Sequence, residues 1–525
     1  MIVGLGVAVA LAAVGAGGLE AGHVDASLEF DGEILDQRFL DIDGDGRDSL
    51  CVALRRRDGR RELRILEPRR HGFDSKPEHV VSVLEDVLAY AFAEVREEAG
   101  RELVFLTRSG AYSYSLTREG YRGNIARLLE EELLYDVPDS RSLPYWPYVL
   151  PREGGDLLLL PGRSDFAVWG PRRDASGQST GEVAPPYEAW MRIGGARPRR
   201  ETAEDDDGGV TVSGSGDYVL ALGGDSDDIF LRDSGRAASL LSDGKSFPAP
   251  AQVDLDGDGR LDLVLRKGDE FWIYLHGPDG FAPEPSRVEP LPEYIADRDD
   301  DHSFWFADLN GDAWLDLVVR SAGDVEGIEN AQVRVLVLLG SSGRLLPEEP
   351  AQVLRFEAAN LRVDVVDVNG DGRADLSMRK FTVPSVIETV SGIEFELTYL
   401  AYFATGKDSL PFERKAALNQ SQTFDLDSLG DAIKSRHLKL DCDGDGLPDL
   451  VEVDLRGRIV VRRLRHESGF FTGESWELDE SPWRRFDVLG AIQSLEVLDV
   501  NDDGLADIVS PGEDSLTLLI SNDPD

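Results

Sequence analysis

The sequence predicts an all-β fold, a β-propeller of four-stranded antiparallel blades, eight by the best count. Three observations predict it. An acidic loop followed by an apolar strand returns along the chain, with 54, 59 and 58 residues separating starts at 254 and 308, 308 and 367, and 441 and 499. Each interval holds four short runs rich in Val, Leu and aromatic residues, broken by Gly, Asp and Pro, as antiparallel strands require. In the unit at 308 these runs are 304–306, 315–319, 333–339 and 353–356. A four-stranded repeat of this length is a propeller blade. The ends supply the third observation. The last unit has runs at 495–498, 506–509 and 515–520 and stops one strand short, while 26–30 precedes the first loop. An N-terminal strand that completes the last blade closes the ring and removes an exposed edge.

Taken in order, the first loop has Asp41, Asp43 and Asp45 at positions 1, 3 and 5. Ser49 stands at position 9, with Asp48 one residue early, so its ligand set is incomplete. The unit at 94 keeps Glu102 at position 9 but has Arg96 at position 3 and no glycine at 6. The unit at 148 has Tyr148 at position 1, Leu150 at 3 and Asp156 at 9. Both are expected to be hairpins of the ring that bind no metal. A weaker echo carries Gly214 at position 6 and Asp217 at 9. The stretch 160–250 leaves counts of seven and nine blades open.

Five complete loops follow. Their side chains at 1, 3, 5 and 9 are Asp254, Asp256, Asp258 and Asp262; Asp308, Asn310, Asp312 and Asp316; Asp367, Asn369, Asp371 and Asp375; Asp441, Asp443, Asp445 and Asp449; and Asp499, Asn501, Asp503 and Asp507. Alternate carboxylates on a tight turn converge on one point. Hard oxygen donors at that spacing suit Ca²⁺, with the backbone carbonyl of position 7 joining them. Position 7 is Arg260, Trp314, Arg373, Leu447 and Leu505 in turn. Asp, Asn and Gly also favour turns without any metal. Five copies in one period favour the metal reading. A full EF-hand is disfavoured, because strands flank the loops and no Glu stands at position 12. Position 6 is Gly259, Gly372, Gly446 and Gly504, but Ala313 in the loop at 308. A sharp turn there penalises a Cβ, so the 308 site is expected to be the weakest of the five.

At these residues the chain resembles the FG-GAP, or VCBS-type, repeat family, the blade of the integrin α-chain propeller and of many exported bacterial proteins. The resemblance runs from Ala26 to the end. It implies Ca²⁺ in a hairpin loop of each complete blade, about five sites with a sixth at Asp41 in question. It also implies adhesion or binding, to a protein or glycan ligand. Some propellers of this type accompany carbohydrate-active enzymes, and the fold alone fixes no function.

Composition narrows the classes. The 525 residues include 100 acidic and 55 basic side chains, a formal charge of −45. That balance argues against nucleic acid, whose phosphates need Lys and Arg, and against anionic lipid. Two cysteines, Cys51 and Cys442, exclude a disulfide framework and read as small buried hydrophobes. Residues 2–17 are apolar and small, suiting a signal segment over 1–22, although no Lys or Arg precedes them; a buried strand is the other reading. The rest, 23–525, reads as one propeller with a surface loop around 171–209 and an insertion around 380–440. No long helical period appears; 125–134 is the best helical stretch. No H-E-x-x-H, G-x-S-x-G or Walker A motif is present. The expectation is an exported Ca²⁺-binding module for binding or adhesion. A polysaccharide-directed hydrolase or lyase and a structural envelope component are the alternatives. Tyr145-Trp146-Pro147 and Phe271-Trp272-Ile273-Tyr274 suggest a sugar-stacking surface or, more simply, strand core.

Overall fold

The computed structural model describes residues 24–521 with breaks, the longest at 117–124, 134–141, 173–185, 199–219, 223–244, 323–329, 384–393 and 426–435. The chain is an eight-bladed β-propeller, each blade a four-stranded antiparallel sheet. The first two strands of each blade frame the loops of interest. They are Gly32–Leu40 and Ser49–Arg56 in blade 1, Val87–Ala93 and Glu102–Thr107 in blade 2, and Val149–Leu150 and Leu157–Pro161 in blade 3. Blade 4 has Ala251–Val253 and Asp262–Arg266, blade 5 Asp301–Ala307 and Asp316–Ala322, and blade 6 Asn360–Val366 and Asp375–Thr382. Blade 7 has Arg436–Leu438 and Leu450–Val453, and blade 8 Glu496–Leu498 and Asp507–Pro511.

Ring closure follows the sequence expectation. Val24–Glu29 pairs antiparallel with Ser515–Ile520, Val24 opposite Ile520 and Glu29 opposite Ser515. Blade 8 is thus built from both ends of the chain. Phe30 N–H continues the pairing to the Asp514 carbonyl at 2.8 Å.

The core lies between blades, and this explains the hydrophobic pattern. Second strands such as Glu102–Thr107 and Leu157–Pro161 are buried along their whole length, because each faces a neighbouring blade on both sides. They read as continuous apolar runs. Outer strands such as His79–Val83 alternate buried and exposed residues. Between blades 1 and 2, Ala53, Leu63 and Ile65 pack on Tyr90, Phe92 and Leu103. Between blades 8 and 1, Leu50, Val52 and Leu54 pack on Val509, Leu516 and Leu518.

Several expectations change. Residues 125–130 form the fourth strand of blade 2, not a helix. Pairing with Gly110–Tyr114 across a bulge overrides the weak helical period there. The loop expected over 171–209 contains the fourth strand of blade 3, Tyr187–Gly194. The echo at 213–219 lies outside the described residues. Just beyond it, Leu220–Leu222 pairs in parallel with Phe304, Trp305 and Phe306 as a fifth strand on blade 5. Within 380–440, Glu394–Tyr402 and Leu418–Asp425 are the third and fourth strands of blade 6. Cys51 and Cys442 are free and buried. Trp146 is buried, its indole N–H on the Leu159 carbonyl at 3.0 Å, and Phe271 and Tyr274 are core residues, so strand core is the reading that holds for both aromatic runs.

Candidate metal centres

Each loop joins the first strand of a blade to the second. Its hydrogen bonds repeat from copy to copy. The position-1 carboxylate spans the turn, accepting from the N–H of positions 4 and 6. In blade 4 Asp254 accepts from Gly257 and Gly259, both at 2.8 Å. In blade 5 Asp308 accepts from Gly311 at 2.7 Å and Ala313 at 2.9 Å. In blade 7 Asp441 accepts from Gly444 and Gly446, both at 2.7 Å. The position-5 carboxylate accepts from position 7: Arg260 N to Asp258 and Leu447 N to Asp445, both at 2.9 Å. Each carboxylate keeps lone pairs beyond these bonds. The Asx-turn scaffold and a metal cage are therefore compatible.

Glycine takes positive φ at two positions of the turn. Position 4 has φ of 74° at Gly257 and Gly370 and 81° at Gly311 and Gly444, while position 6 has 82° at Gly259 and Gly372. Among the complete loops position 4 is glycine in all but the one at 499, which has Asp502, and position 6 in all but the one at 308, which has Ala313. Ala313 takes φ of 68°, the one non-glycine residue at positive φ among those described.

Position 9 differs in kind. Asp262, Asp316, Asp375 and Asp507 are fully buried. One oxygen of each accepts from the N–H of position 2, at 2.8–3.0 Å from Leu255, Leu309, Val368 and Val500. The other accepts from beyond the third strand, at 2.7–2.8 Å from His276, Gly340, Ala404 and Ser521. This carboxylate braces the loop against its own blade. Burial pushes Asp316 and Asp507 up to about 7 and Asp375 to about 6, against the pull of these backbone donors. Asp449 departs from the set. Its Oδ2 accepts from Cys442 N at 3.0 Å, while Oδ1 is buried with no partner. Burial, then the charges of Asp443 and Asp441, raise it to about 8.

At three loops the structure brings three carboxylates together. Asp41, Asp43 and Asp45; Asp254, Asp256 and Asp262; and Asp441, Asp443 and Asp449 each offer one oxygen, all within 4.8 Å of one another. The donor set and the orphaned Asp449 oxygen fit a hard cation. Asp41, Asp43 and Asp45 converge without a position-9 acid, since Ser49 is buried there. At 308, 367 and 499, position 3 is Asn310, Asn369 or Asn501, and no three-acid cluster forms among the described residues.

Two features escaped sequence reasoning. Asn310 Nδ2 donates to Asp408 Oδ1 at 3.1 Å, bringing a carboxylate from the adjacent blade to the rim of the 308 loop. Asp408 sits outside the repeat pattern, so no spacing marks it. Basic side chains also lean on position 5 or 3. Arg47 reaches Asp45 at 2.6 Å and holds its carboxyl below the usual range, and Arg463 reaches Asp443 at 3.5 Å. Arg260 pairs with Asp258 as Arg47 does with Asp45.

Comparison with known proteins agrees with this geometry. Residues 254–319 match the family described as FG-GAP-like repeat. No curated protein matches the chain. Among solved structures, the chain is similar to a crystal structure of BBS1N in complex with ARL6DN, soaked with lead. The identity is 9% and the TM-score 0.32, over 96% of this chain and 98% of that one, too slight a likeness to carry an argument. The chain is an eight-bladed β-propeller, and residues 254–319 of it match the FG-GAP-like repeat.

Proposed function

We propose that this propeller is an exported calcium-binding module that serves in binding or adhesion. The observation that carries the calcium reading is the 441 loop, where three carboxylates converge around a buried oxygen with no donor. A buried carboxyl with an oxygen left without a donor is costly to ionise, and a cation removes the cost. The loops at 41 and 254 offer the same convergence. Asp308, Asn310, Asp312 and Asp316, with the carbonyl of Trp314, and the matching sets at 367 and 499 offer weaker cages with one charge fewer at position 3. Export is supported by the demand for calcium, since millimolar Ca²⁺ is found outside the cytoplasm. Among the described residues no helix is long and apolar enough to cross a membrane. A protein or glycan ligand is the expected partner, in keeping with the FG-GAP type of propeller.

The calcium reading is tested by calorimetric titration of chelator-stripped protein with Ca²⁺, in parallel with D441N/D443N. Saturable binding that loses one ion in the variant is expected. No binding in millimolar Ca²⁺ sinks the reading. The binding reading is tested by comparing glycan-array capture with glycan hydrolysis in calcium. Turnover without retained binding would favour the enzyme instead.

A further inference from the structure

The loops of neighbouring blades touch, and at blades 7 and 8 they touch through the ligand residues. Ala506 N–H donates to the backbone carbonyl of Asp441 at 2.7 Å. Asp441 is position 1 of its loop. Ala506 lies between Leu505 and Asp507, positions 7 and 9 of the next loop. A Cβ built on Gly444 would lie 3.4 Å from the Leu505 side chain, so the two turns are also packed together.

We propose that the 441 and 499 loops bind calcium as a coupled pair, in which the 441 site fills first and presets the 499 site. The proposal rests on the calcium reading above. Asp449 supplies the order. In the other four complete loops both oxygens of the position-9 acid are held by backbone N–H groups, whereas Asp449 Oδ1 has no donor at 1% exposure. An ion at 441 therefore satisfies a buried oxygen that the fold leaves without a donor, while an ion at 499 meets an acid already braced by Val500 and Ser521. The coupling follows from the shared bond. An ion that draws in the Asp441 carboxylate fixes the Asp441 peptide, and the bond to Ala506 then fixes the peptides that carry the Leu505 carbonyl and Asp507. The second site is organised before its ion arrives, and preorganisation raises affinity.

The test is a double-mutant cycle on the full chain, with Ca²⁺ as the only ligand. Total calcium-binding constants are measured by calorimetry for the parent, for D441N/D443N, for D499N/D503N and for the combination. The buried braces Asp449 and Asp507 stay intact in all four. The product of the parent and combined constants, divided by the product of the two single-loop constants, is expected to be about fivefold or more. The same cycle with D254N/D256N in place of D441N/D443N is expected to give a ratio near one, because blade 4 stands across the ring from blade 8. If D441N/D443N does not fold, the exposed D445N gives a milder lesion of the same site and is expected to weaken the 499 site in the same direction. A ratio near one at 441 and 499, with each variant still losing one ion, overturns the coupling and leaves the calcium reading standing. Variants that lose no ion overturn both.

Discussion

Blades 2 and 3 and blades 4 to 8 share one hairpin but not one chemistry. In blade 2, Glu102 is buried and accepts from Val95 N at 2.9 Å, the same position-9 to position-2 bond that Asp262 and Asp316 make. In blade 3, Asp156 is buried and accepts from Arg152 N at 3.2 Å and from Glu94 N of the preceding blade at 2.8 Å. Around these acids the ligand set is incomplete. Arg96, which stands at position 3, turns its guanidinium to Ser113 Oγ at 2.8 Å. The buried acid at position 9 survives where the set at 1, 3 and 5 is incomplete, so it serves the fold whether or not it also serves a cation. Blade 2 keeps Glu94 and Glu98 at positions 1 and 5 but has Arg96 at 3, and blade 3 keeps none of the three, so the complete Asp or Asn set at 1, 3 and 5 is what sets blades 4 to 8 apart.

The largest expected effect breaks the comparison at its metal side. A site with a dissociation constant of ~0.1 mM in ~1 mM Ca²⁺ stabilises by about 1.4 kcal/mol, and five such sites by about 7 kcal/mol. Whole domains are stable by only about 5–15 kcal/mol. Excess EGTA is therefore expected to lower the melting temperature by many degrees in a fluorimetric scan. An unchanged melt would remove the metal side of the comparison altogether.

Next in size, the brace and the ligands are expected to respond differently to calcium. Asp375→Ala leaves the buried N–H groups of Val368 and Ala404 without partners, a loss of about 3 kcal/mol. Glu102→Ala in the blade without a cage is expected to cost about 2 kcal/mol. The Glu102→Ala loss is expected to appear equally in Ca²⁺ and in EGTA, whereas Asp375→Ala, which also removes a position-9 ligand of the 367 loop, keeps its loss in EGTA and loses more in Ca²⁺. Asp254→Asn in a complete loop is expected to matter in Ca²⁺ and hardly at all in EGTA. If Asp375→Ala is harmless in EGTA, the division into brace and ligand is wrong.

This division marks where the sequence was legible. The period of the acidic loops and the four apolar runs per unit were enough for the architecture, and the short last unit was enough for the closure by Val24–Glu29. Strand pairing obeys local patterns, and those patterns were clean. The segment 125–130 was misread because its fourth-strand position is set by pairing with Gly110–Tyr114, a contact that no local period records. At the candidate sites, residue types and spacing were visible but the direction of each lone pair was not. Position 9 was read as a ligand of the same rank as position 1, yet its bonds to Leu255 and His276 depend on where the third strand ends. The orphaned oxygen of Asp449 and the approach of Asp408 to Asn310 are likewise tertiary facts.

A smaller effect, in pH, sharpens the same division. Burial raises Asp375 to about 6, Asp316 and Asp507 to about 7 and Asp449 to about 8. A carboxyl raised on folding contributes stability while it is protonated. That contribution is full below pH about 4 and is lost as pH climbs through 6 to 8. In EGTA the protein is therefore expected to melt higher at pH 5 than at pH 8. Asp45 and Asp454, whose carboxyls are lowered, act below pH 4 and do not cancel this slope. Asp375→Asn is expected to reduce it by that residue's share. With Ca²⁺ present the ion takes over from the proton, and the drop from pH 5 to 8 is expected to shrink. A melt in EGTA that rises from pH 5 to 8 contradicts the buried-acid account.

The smallest effect concerns Ala313, where the turn of blade 5 departs from its sister loops. Its φ of 68° is left-handed, and its N–H is held by Asp308 Oδ2 at 2.9 Å, a bond within the hairpin itself. At the matching Gly259, Gly372, Gly446 and Gly504 an added Cβ would meet nothing within 4 Å. By that comparison the cost of Ala313 lies in its backbone rather than in crowding. A left-handed alanine costs about 1–2 kcal/mol, and part of the gain from glycine is returned through the freer unfolded chain. Ala313→Gly is therefore expected to stabilise by about 1 kcal/mol, a rise of a degree or two in melting temperature, in Ca²⁺ and EGTA alike. Conversely, Gly372→Ala is expected to cost about the same. A rise seen only in Ca²⁺ would mean that the hairpin takes this φ only around the ion. The strain would then weaken calcium at this loop about fivefold, as the sequence suggests for the weakest of the five complete loops. A fall in either condition would show that the left-handed turn is not what separates blade 5 from its neighbours.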